Sequence, residues 1–363
     1  MKMRKYLALF LALIIAMGVL TGCRAPGGTG APGGSATPGS AGNDGEPVDT
    51  PSNGGVPVKI ICGYGAGGTA DLVARMYGQV ANRIQSKYNF TVENMTGGDG
   101  FTAATFFSKE DPSAMDLLVY GYGVIYRHDL GKQFATEEVD FDRNKMDPIG
   151  IVDDRTWILY TTPDQTLASI LDKAKSGGIK MSGGNPLSDC HLEFGSLIKL
   201  IGGNVMVVPY DGGAAQKKGL LDGGVDVFVG TTQAAIEDVE AGTLIPILAF
   251  SDVPFEGFVG PDGPIDVPTV AGPTKASELD TSIDFSGCIL SAGGSLATHR
   301  GADEAFIADM EQIMKDVWNE AEFNGWISSQ MLNHFEIYGD ECEAFMNAAA
   351  KKAITAYGTL SGT

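Results

Sequence analysis

The chain is short of the residues on which metal centres, nucleic-acid binding and many kinds of catalysis depend. It has four histidines and five cysteines in 363 residues, and no pair of cysteines has the spacing of metal ligands. No metal or cofactor motif follows from them. Lys and Arg number 25 against 45 Asp and Glu, a formal net charge of -20. That balance argues against a nucleic-acid partner. It also means that the surface as a whole does not draw anions in from a distance. Any anion site must be local, made of backbone N–H groups and dipoles. The Gly-x-Ser-x-Gly elbow of many hydrolases is absent. No apolar run reaches the ~20 residues that a membrane-spanning helix needs.

What the N-terminus does contain is an address. Lys2, Arg4 and Lys5 precede an uncharged apolar run from Tyr6 to Leu20, the pattern of a signal peptide. It ends in Leu20-Thr21-Gly22-Cys23, which resembles the bacterial lipobox. That resemblance implies cleavage before Cys23, lipid on Cys23 and anchoring by that lipid. The segment 23–55 is mostly Gly, Pro, Ser, Ala and Thr, too poor in bulky apolar residues to form a core, and reads as a tether. The expected organisation is a signal peptide at 1–22, the tether at 23–55, a first lobe over 56–155, a second lobe over 156–251, and a return through 252–363. Cys62, Cys190, Cys288 and Cys342 lie far apart in the sequence. An exported chain can form disulfides, but free, buried thiols are the favoured reading.

Past the tether, one pattern repeats. Val58, Ile60, Ile61 and Cys62 read as a buried strand, followed by glycines at 63, 65, 67 and 68. Thr69 is placed to cap a helix with Asp71 in its first turn. Such a turn aims free backbone N–H groups at one spot, where an anion can sit. The sequence repeats the strand, glycine turn and helix after Phe90–Asn94 and after Leu117–Tyr120, which ends in Gly121-Tyr122-Gly123. The second half does the same, with turns at Ser182-Gly183-Gly184-Asn185-Pro186-Leu187-Ser188, Pro209–Gly213 and Gly230–Thr232. Phe285–Leu290 also reads as a strand, and Phe306, Met310, Ile313 and Val317 as a helix stripe. The pattern predicts an α/β fold, two lobes each with a mostly parallel sheet flanked by helices. Ligands of such sheets bind at the carboxyl ends of the strands, and two lobes with facing turns make a hinged cleft.

With those fragments in order, the chain resembles the tripartite tricarboxylate transporter substrate-binding family, the Bug proteins. Gly63–Asp71 is similar to the family's Pro-Phe-x-Pro-Gly-Gly-x-x-Asp, and Glu93–Gly100 to its Glu-Asn-x-x-Gly-Ala-Gly-Gly. The His191 helix resembles His-Leu-x-x-Glu-Leu-Phe, and Val208–Gly212 resembles Val-Pro-Tyr-Lys-Gly. Gly223–Asp226 and Asp266–Thr269 match two more signatures. The first turn lacks both family prolines, and Asn185-Pro186-Leu187 stands where the family has Gly-x-Gly. The resemblance implies a periplasmic-binding-protein-like (type II) fold and a monomeric extracytoplasmic receptor, not an enzyme. It would clamp a small carboxylate (a di- or tricarboxylate, an amino acid or an aromatic acid) and deliver it to a membrane permease of one large and one small subunit.

The expected ligand donors are the backbone N–H groups of Ala66, Gly67, Gly68 and Thr69, faced by Ser182, Gly183, Gly184, Asn185, Ser188, Tyr210 and Gly212 from the other lobe. Asp71 either holds its own turn or meets a ligand amine. His191 is either a packed histidine or a ligand contact. Tyr64 and Tyr122, the latter beside Gly123, either close the pocket or pack. Thr231 and Thr232 stand where the distal end of a ligand would reach. The rival readings are a receptor of another importer class, a sensor feeding a kinase, and a hydrolase drawn from Ser188, His191 and Asp211.

Overall fold

The computed structural model describes residues 54–210 and 212–362. The signal segment 1–22, Cys23 and the tether as far as residue 53 lie outside the described residues, as does Asp211.

The first lobe grows from β1 (Val56–Cys62), a strand with buried Val58, Ile60, Ile61 and Cys62. Proline removes a ladder donor, and Pro57 falls before Lys59, where pairing with β3 (Asp116–Gly121) begins. On the other side β1 pairs in parallel with β2 (Tyr88–Asn94). Between them runs α1 (Thr69–Ile84), which buries Val73, Tyr77 and Val80. Asn82 fastens this helix to β2, accepting the Phe90 N–H at 2.7 Å and donating to the Phe90 carbonyl at 2.9 Å. Then follow α2 (Phe101–Lys109), α3 (Tyr122–Phe134) and β4 (Met146–Arg155).

The chain crosses at Thr156 and Trp157 and builds the second lobe from β5 (Ile158–Thr161), α4 (Leu167–Ser176), β6 (Ile179–Gly183), α5 (Asp189–Leu200), β7 (Val205–Pro209), α6 (Gly213–Leu221), β8 (Val227–Gly230), α7 (Thr232–Glu240) and β9 (Ile245–Ala249). A long connection, with a small ribbon of β10 (Val259–Gly260) and β11 (Gly263–Pro264), returns to β12 (Ala292–His299). Three helices close the first lobe: α8 (Glu304–Trp318), α9 (Ala321–Ser329) and α10 (Gly339–Ser361).

The two sheets share one plan. Their orders are β2-β1-β3-β12-β4 and β7-β6-β8-β5-β9. In each, four strands run the same way and the fourth in order, β12 or β5, runs against its neighbours. The helices pack on both faces, giving two apolar cores in each lobe. The α/β fold expected from the strand–turn–helix repeat is thus present, with one correction. Phe285–Leu290 is not a strand: it contains a short 3-10 turn at Ser286–Cys288. The strand is β12, Ala-Gly-Gly-Ser-Leu-Ala-Thr-His, and all eight of its residues are buried. Covered on both faces and built of small residues, it has no alternation to reveal it.

The lobes also meet behind the cleft. α10 packs on α5, where the Ser196 hydroxyl donates to the Ala356 carbonyl at 2.9 Å. Leu192 of α5 belongs to a core otherwise made almost wholly of first-lobe residues. Cys62, Cys190, Cys288 and Cys342 are buried and unpaired. Among the described residues no helix is long and apolar enough to cross a membrane, and no group of three or more His, Cys, Asp or Glu is placed to hold a metal ion.

Candidate functional site

The parallel strands of both sheets end at the same edge, and the next helix starts there. This sets the N-termini of α1 and α3 in one lobe opposite those of α7 and α5 in the other. Thr69 at the start of α1 lies against Thr231 before α7, with their Oγ1 atoms 3.4 Å apart. Gly123, in the first turn of α3, faces Asp189, the first residue of α5. A Cβ added at Gly123 would lie 3.7 Å from the Asp189 carboxylate. Each helix start leaves unpaired N–H groups and a partial positive charge. Two such pairs face one another across the lobe boundary.

The first turn is more braced than its glycines imply. Gly65, Ala66, Gly67 and Gly68 are exposed. The cap of α1 is Gly68, so Thr69 is the first helical residue and its side chain is left to face Thr231. Asp71 is buried. It accepts the Gly67 N–H at 2.9 Å and the Asn94 amide at 2.7 Å, and pairs with Arg75 at 2.9 Å. Gly68 donates to the Gly65 carbonyl at 3.2 Å. Two of the four expected donors therefore already have acceptors within the chain. Among the described residues, Ala66 and the first-turn N–H groups of α1 meet no competing partner of this kind. Asp71 acts here as the brace of the turn.

The tyrosines pack within the chain. Tyr64 accepts the Gly121 N–H on its hydroxyl at 3.0 Å, tying the first turn to the start of α3. Tyr122 is fully buried, edge-on to Phe345, and its hydroxyl points at the Asp153 carbonyl 3.4 Å away. Tyr210 packs its ring beside Gly219 and Gly224. The second-lobe turn is held by Asn185, whose Oδ1 accepts the Leu187 N–H at 2.7 Å, and whose carbonyl accepts the Ser188 N–H at 3.0 Å. Gly183 accepts the Tyr210 N–H at 2.9 Å, and Gly184 is exposed. Gly212, at φ +80°, caps α6, a conformation that favours glycine. Ser182 is buried with its hydroxyl unpartnered. His191 is buried, its Nδ1 against the Pro186 carbonyl, and burial holds its pKa below the ordinary value. Ser188 has its hydroxyl 3.2 Å from the Cys190 thiol. Thr231 caps α7, accepting the Ala234 N–H at 3.3 Å. Thr232 donates to the Gln330 carbonyl at 3.0 Å, a second tie between the lobes.

The charged floor of this boundary was not among the expected residues. Arg155 ends β4 just before the crossing and donates its Nε to Asp153 at 2.8 Å. Burial works against its charge, but Asp153, Tyr64 and Asp189 together more than offset that and favour the charged guanidinium. Asp153 is fully buried, and its second oxygen has no partner. Asp189 is pushed up to about 6, first by burial and then by the charge of Asp99, with Arg155 acting against them. The indole N–H of Trp157, on the crossing itself, is buried and directed at Asp189, where it favours the ionised carboxylate. One signal in the sequence marks this floor: a charged run, Asp153-Asp154-Arg155, directly follows the buried run Ile149–Val152 at a strand's carboxyl end. A separate hollow of about 340 Å³, lined by Lys173, Ile179, Asn204, Met206 and Asp226, opens where β6 and β7 begin, at the opposite edge of the sheet.

No family model and no curated protein matches the chain. Solved structures do. A TctC solute binding protein from Polaromonas is 18% identical, with 85% of this chain and 98% of that chain covered, at a TM-score of 0.57. Rpa4515 of R. palustris, solved with adipate, is 16% identical over 84% of this chain and 97% of its own, at 0.67. MatC (Rpa3494) from Rhodopseudomonas palustris, with bound malate, is 16% identical over 84% and 98%, at 0.66. At these identities the likeness is one of fold, and the fold is that of the TctC-type solute-binding proteins.

Proposed function

We propose that this chain is an extracytoplasmic solute receptor that captures a small carboxylate between its lobes. The observation that carries the reading is the opposition of helix N-termini across the lobe boundary, α1 against α7 and α3 against α5. Four partial positive charges and their N–H groups converge there without a surface of basic residues, as an acidic protein that binds an anion requires. The fold supports it, since two of the similar structures hold adipate and malate. The role is capture rather than conversion. The triad drawn from Ser188, His191 and Asp211 gains no support from the packing of Ser188 against Cys190 and of His191 against Pro186.

In this reading the chain is exported by its N-terminal segment, tethered through lipid on Cys23, and hands its ligand to the subunits of a tripartite tricarboxylate-type permease. The test is a thermal-shift screen against di- and tricarboxylates, amino acids and aromatic acids. A ligand at 100 times its dissociation constant adds about 2.7 kcal/mol of stability, which moves the midpoint by several degrees. A sharp response within the carboxylates supports the reading. A response confined to sugars or to amines without a carboxylate overturns it.

A further inference from the structure

We infer that the C-terminal turn of α10 positions the second-lobe turn of the ligand cleft, with Leu360 backing His191 and His191 as the positioning residue for Pro186. What that turn does rests on the receptor reading above. His191 lies in the first turn of α5 and Gly195 one helical turn later, so the two share a face. Gly195 sits in the interior of a helix, where glycine is the weaker choice. Its surroundings show what it makes room for. A Cβ added there would lie 3.0 Å from Leu360 Cδ1 and 3.2 Å from His191 Nε2. The leucine and the imidazole close over one glycine.

The imidazole links two parts of the molecule. It is buried, and its Nδ1 lies against the Pro186 carbonyl. A carbonyl only accepts, so Nδ1 carries the proton and donates. That contact reaches from the helix back into the turn 182–188, where Asn185 holds the Leu187 and Ser188 N–H groups. On its other side, Leu360 belongs to the first lobe. It packs against the core that contains Cys342, Met346 and Ala353 of its own helix. One turn earlier in α10, the Ala356 carbonyl takes the Ser196 hydroxyl at 2.9 Å and fixes the register of α10 on α5. The Tyr357 ring meets Phe134 of α3, with centroids 5.1 Å apart. A second-lobe turn thus takes its position from a first-lobe helix through one buried ring. Close packing transmits displacement, so a shift of α10 against α5 moves the ring or the carbonyl it holds.

A Leu360 that only fills the first-lobe core would act independently of His191. The test is therefore a double-mutant cycle, read by amide hydrogen exchange and mass spectrometry on the purified chain with no added ligand. His191→Phe keeps a ring and removes the donor. It is expected to speed exchange in the segment 182–188 about fivefold, the scale of one lost hydrogen bond. Leu360→Ala is expected to speed the same segment while β2 and α7 keep the wild-type rate, and Leu360→Met is expected to restore it. In the double variant, Leu360→Ala is expected to add nothing to His191→Phe. An unchanged segment 182–188 in either single variant overturns the inference. So do additive effects in the double variant, or faster exchange spread equally over β2 and α7. If Leu360→Ala does not fold, Gly195→Ala, which crowds the ring from beneath, takes its place in the cycle with the same expectations. None of these outcomes bears on the receptor reading, which the carboxylate screen judges separately.

Discussion

The Gly67 N–H points back into its own turn, to the Asp71 carboxylate 2.9 Å away. Because Asp71 also holds Arg75 and Asn94, a single buried side chain sets the shape of the loop that starts the cleft. Asp71→Ala leaves the Arg75 guanidinium and two N–H donors without their acceptor. The expected cost is about 3 kcal/mol of stability, together with weaker ligand binding, measured by urea unfolding and by titration. Asp71→Asn keeps an acceptor for Gly67 and is expected to cost less. An unchanged urea midpoint in Asp71→Ala would refute this account of the turn.

Thr231 does two things: it caps α7 and meets Thr69 across the boundary. Thr231→Val removes both and is expected to cost about 1 kcal/mol, most of it from the cap. Thr69→Val removes only the long contact between the lobes and is expected to cost clearly less. Equal losses in the two variants would move the weight from the helix cap to the lobe contact.

Asp189 gives the protein a pH signature with a definite sign. Its folded value stands at about 6, above the ~3.9 of an unfolded aspartate. Between those values the folded state holds more protons than the unfolded one, so this group's contribution to stability falls as pH rises through the window and is flat above it. Asp189→Asn removes the effect. The stability of the wild type minus that of the variant is therefore expected to decline from pH 4 to pH 6, read from urea midpoints at fixed ionic strength. The groups near Asp189 include Tyr64, Asp99, Tyr126, Arg155, Trp157, Cys190 and Glu193. A flat difference curve would contradict the desolvation of this half-buried carboxylate.

Burial pushes the thiols up: Cys62 and Cys288 to about 12, Cys342 to about 11, and Cys190 well above its ordinary value. The thiolate is the reactive form. Native protein at pH 8 is expected to leave these four unmodified by an aromatic disulfide reagent over minutes, and denaturant is expected to release all four. Rapid labelling of any of them in the native state, located by peptide mapping, would show a segment more open than described.

Much of this architecture could be read from the residues. Buried runs ending in small-residue turns announced β1, β3, β6 and β8, because a strand covered on both faces needs an unbroken apolar segment. Prolines at 57, 148 and 246 did not disturb that reading, since they fall before a pairing begins or on outer strands beside register shifts. β12 was missed because its Gly-Gly-Ser core carries neither apolar run nor alternation; only its neighbours β3 and β4 make it a strand. The turns of the cleft were legible from their glycines. Which N–H groups remain free was not, because the acceptors of Gly67 and Gly68 depend on how the loop closes. Arg155 and Asp189 were missed for other reasons: Arg155 pairs with Asp153, whose burial only the assembled sheet reveals, and Asp189 is influenced by Asp99 of the other lobe, which sequence distance hides.

The position of β12 also sets an order of events during synthesis. The second sheet is encoded in one unbroken stretch, from Ile158 to Ala249, and all its strands exist once that stretch has emerged. The first sheet cannot join β4 to β3 until Ala292–His299 arrives between them. Until then β3 and β4 each expose an unpaired edge, the feature through which chains aggregate. Ribosomal or translocating chains therefore hold their earliest-made lobe open the longest, waiting on pairings far apart in sequence, which form slowly. The lobe that is translated first is the one finished last.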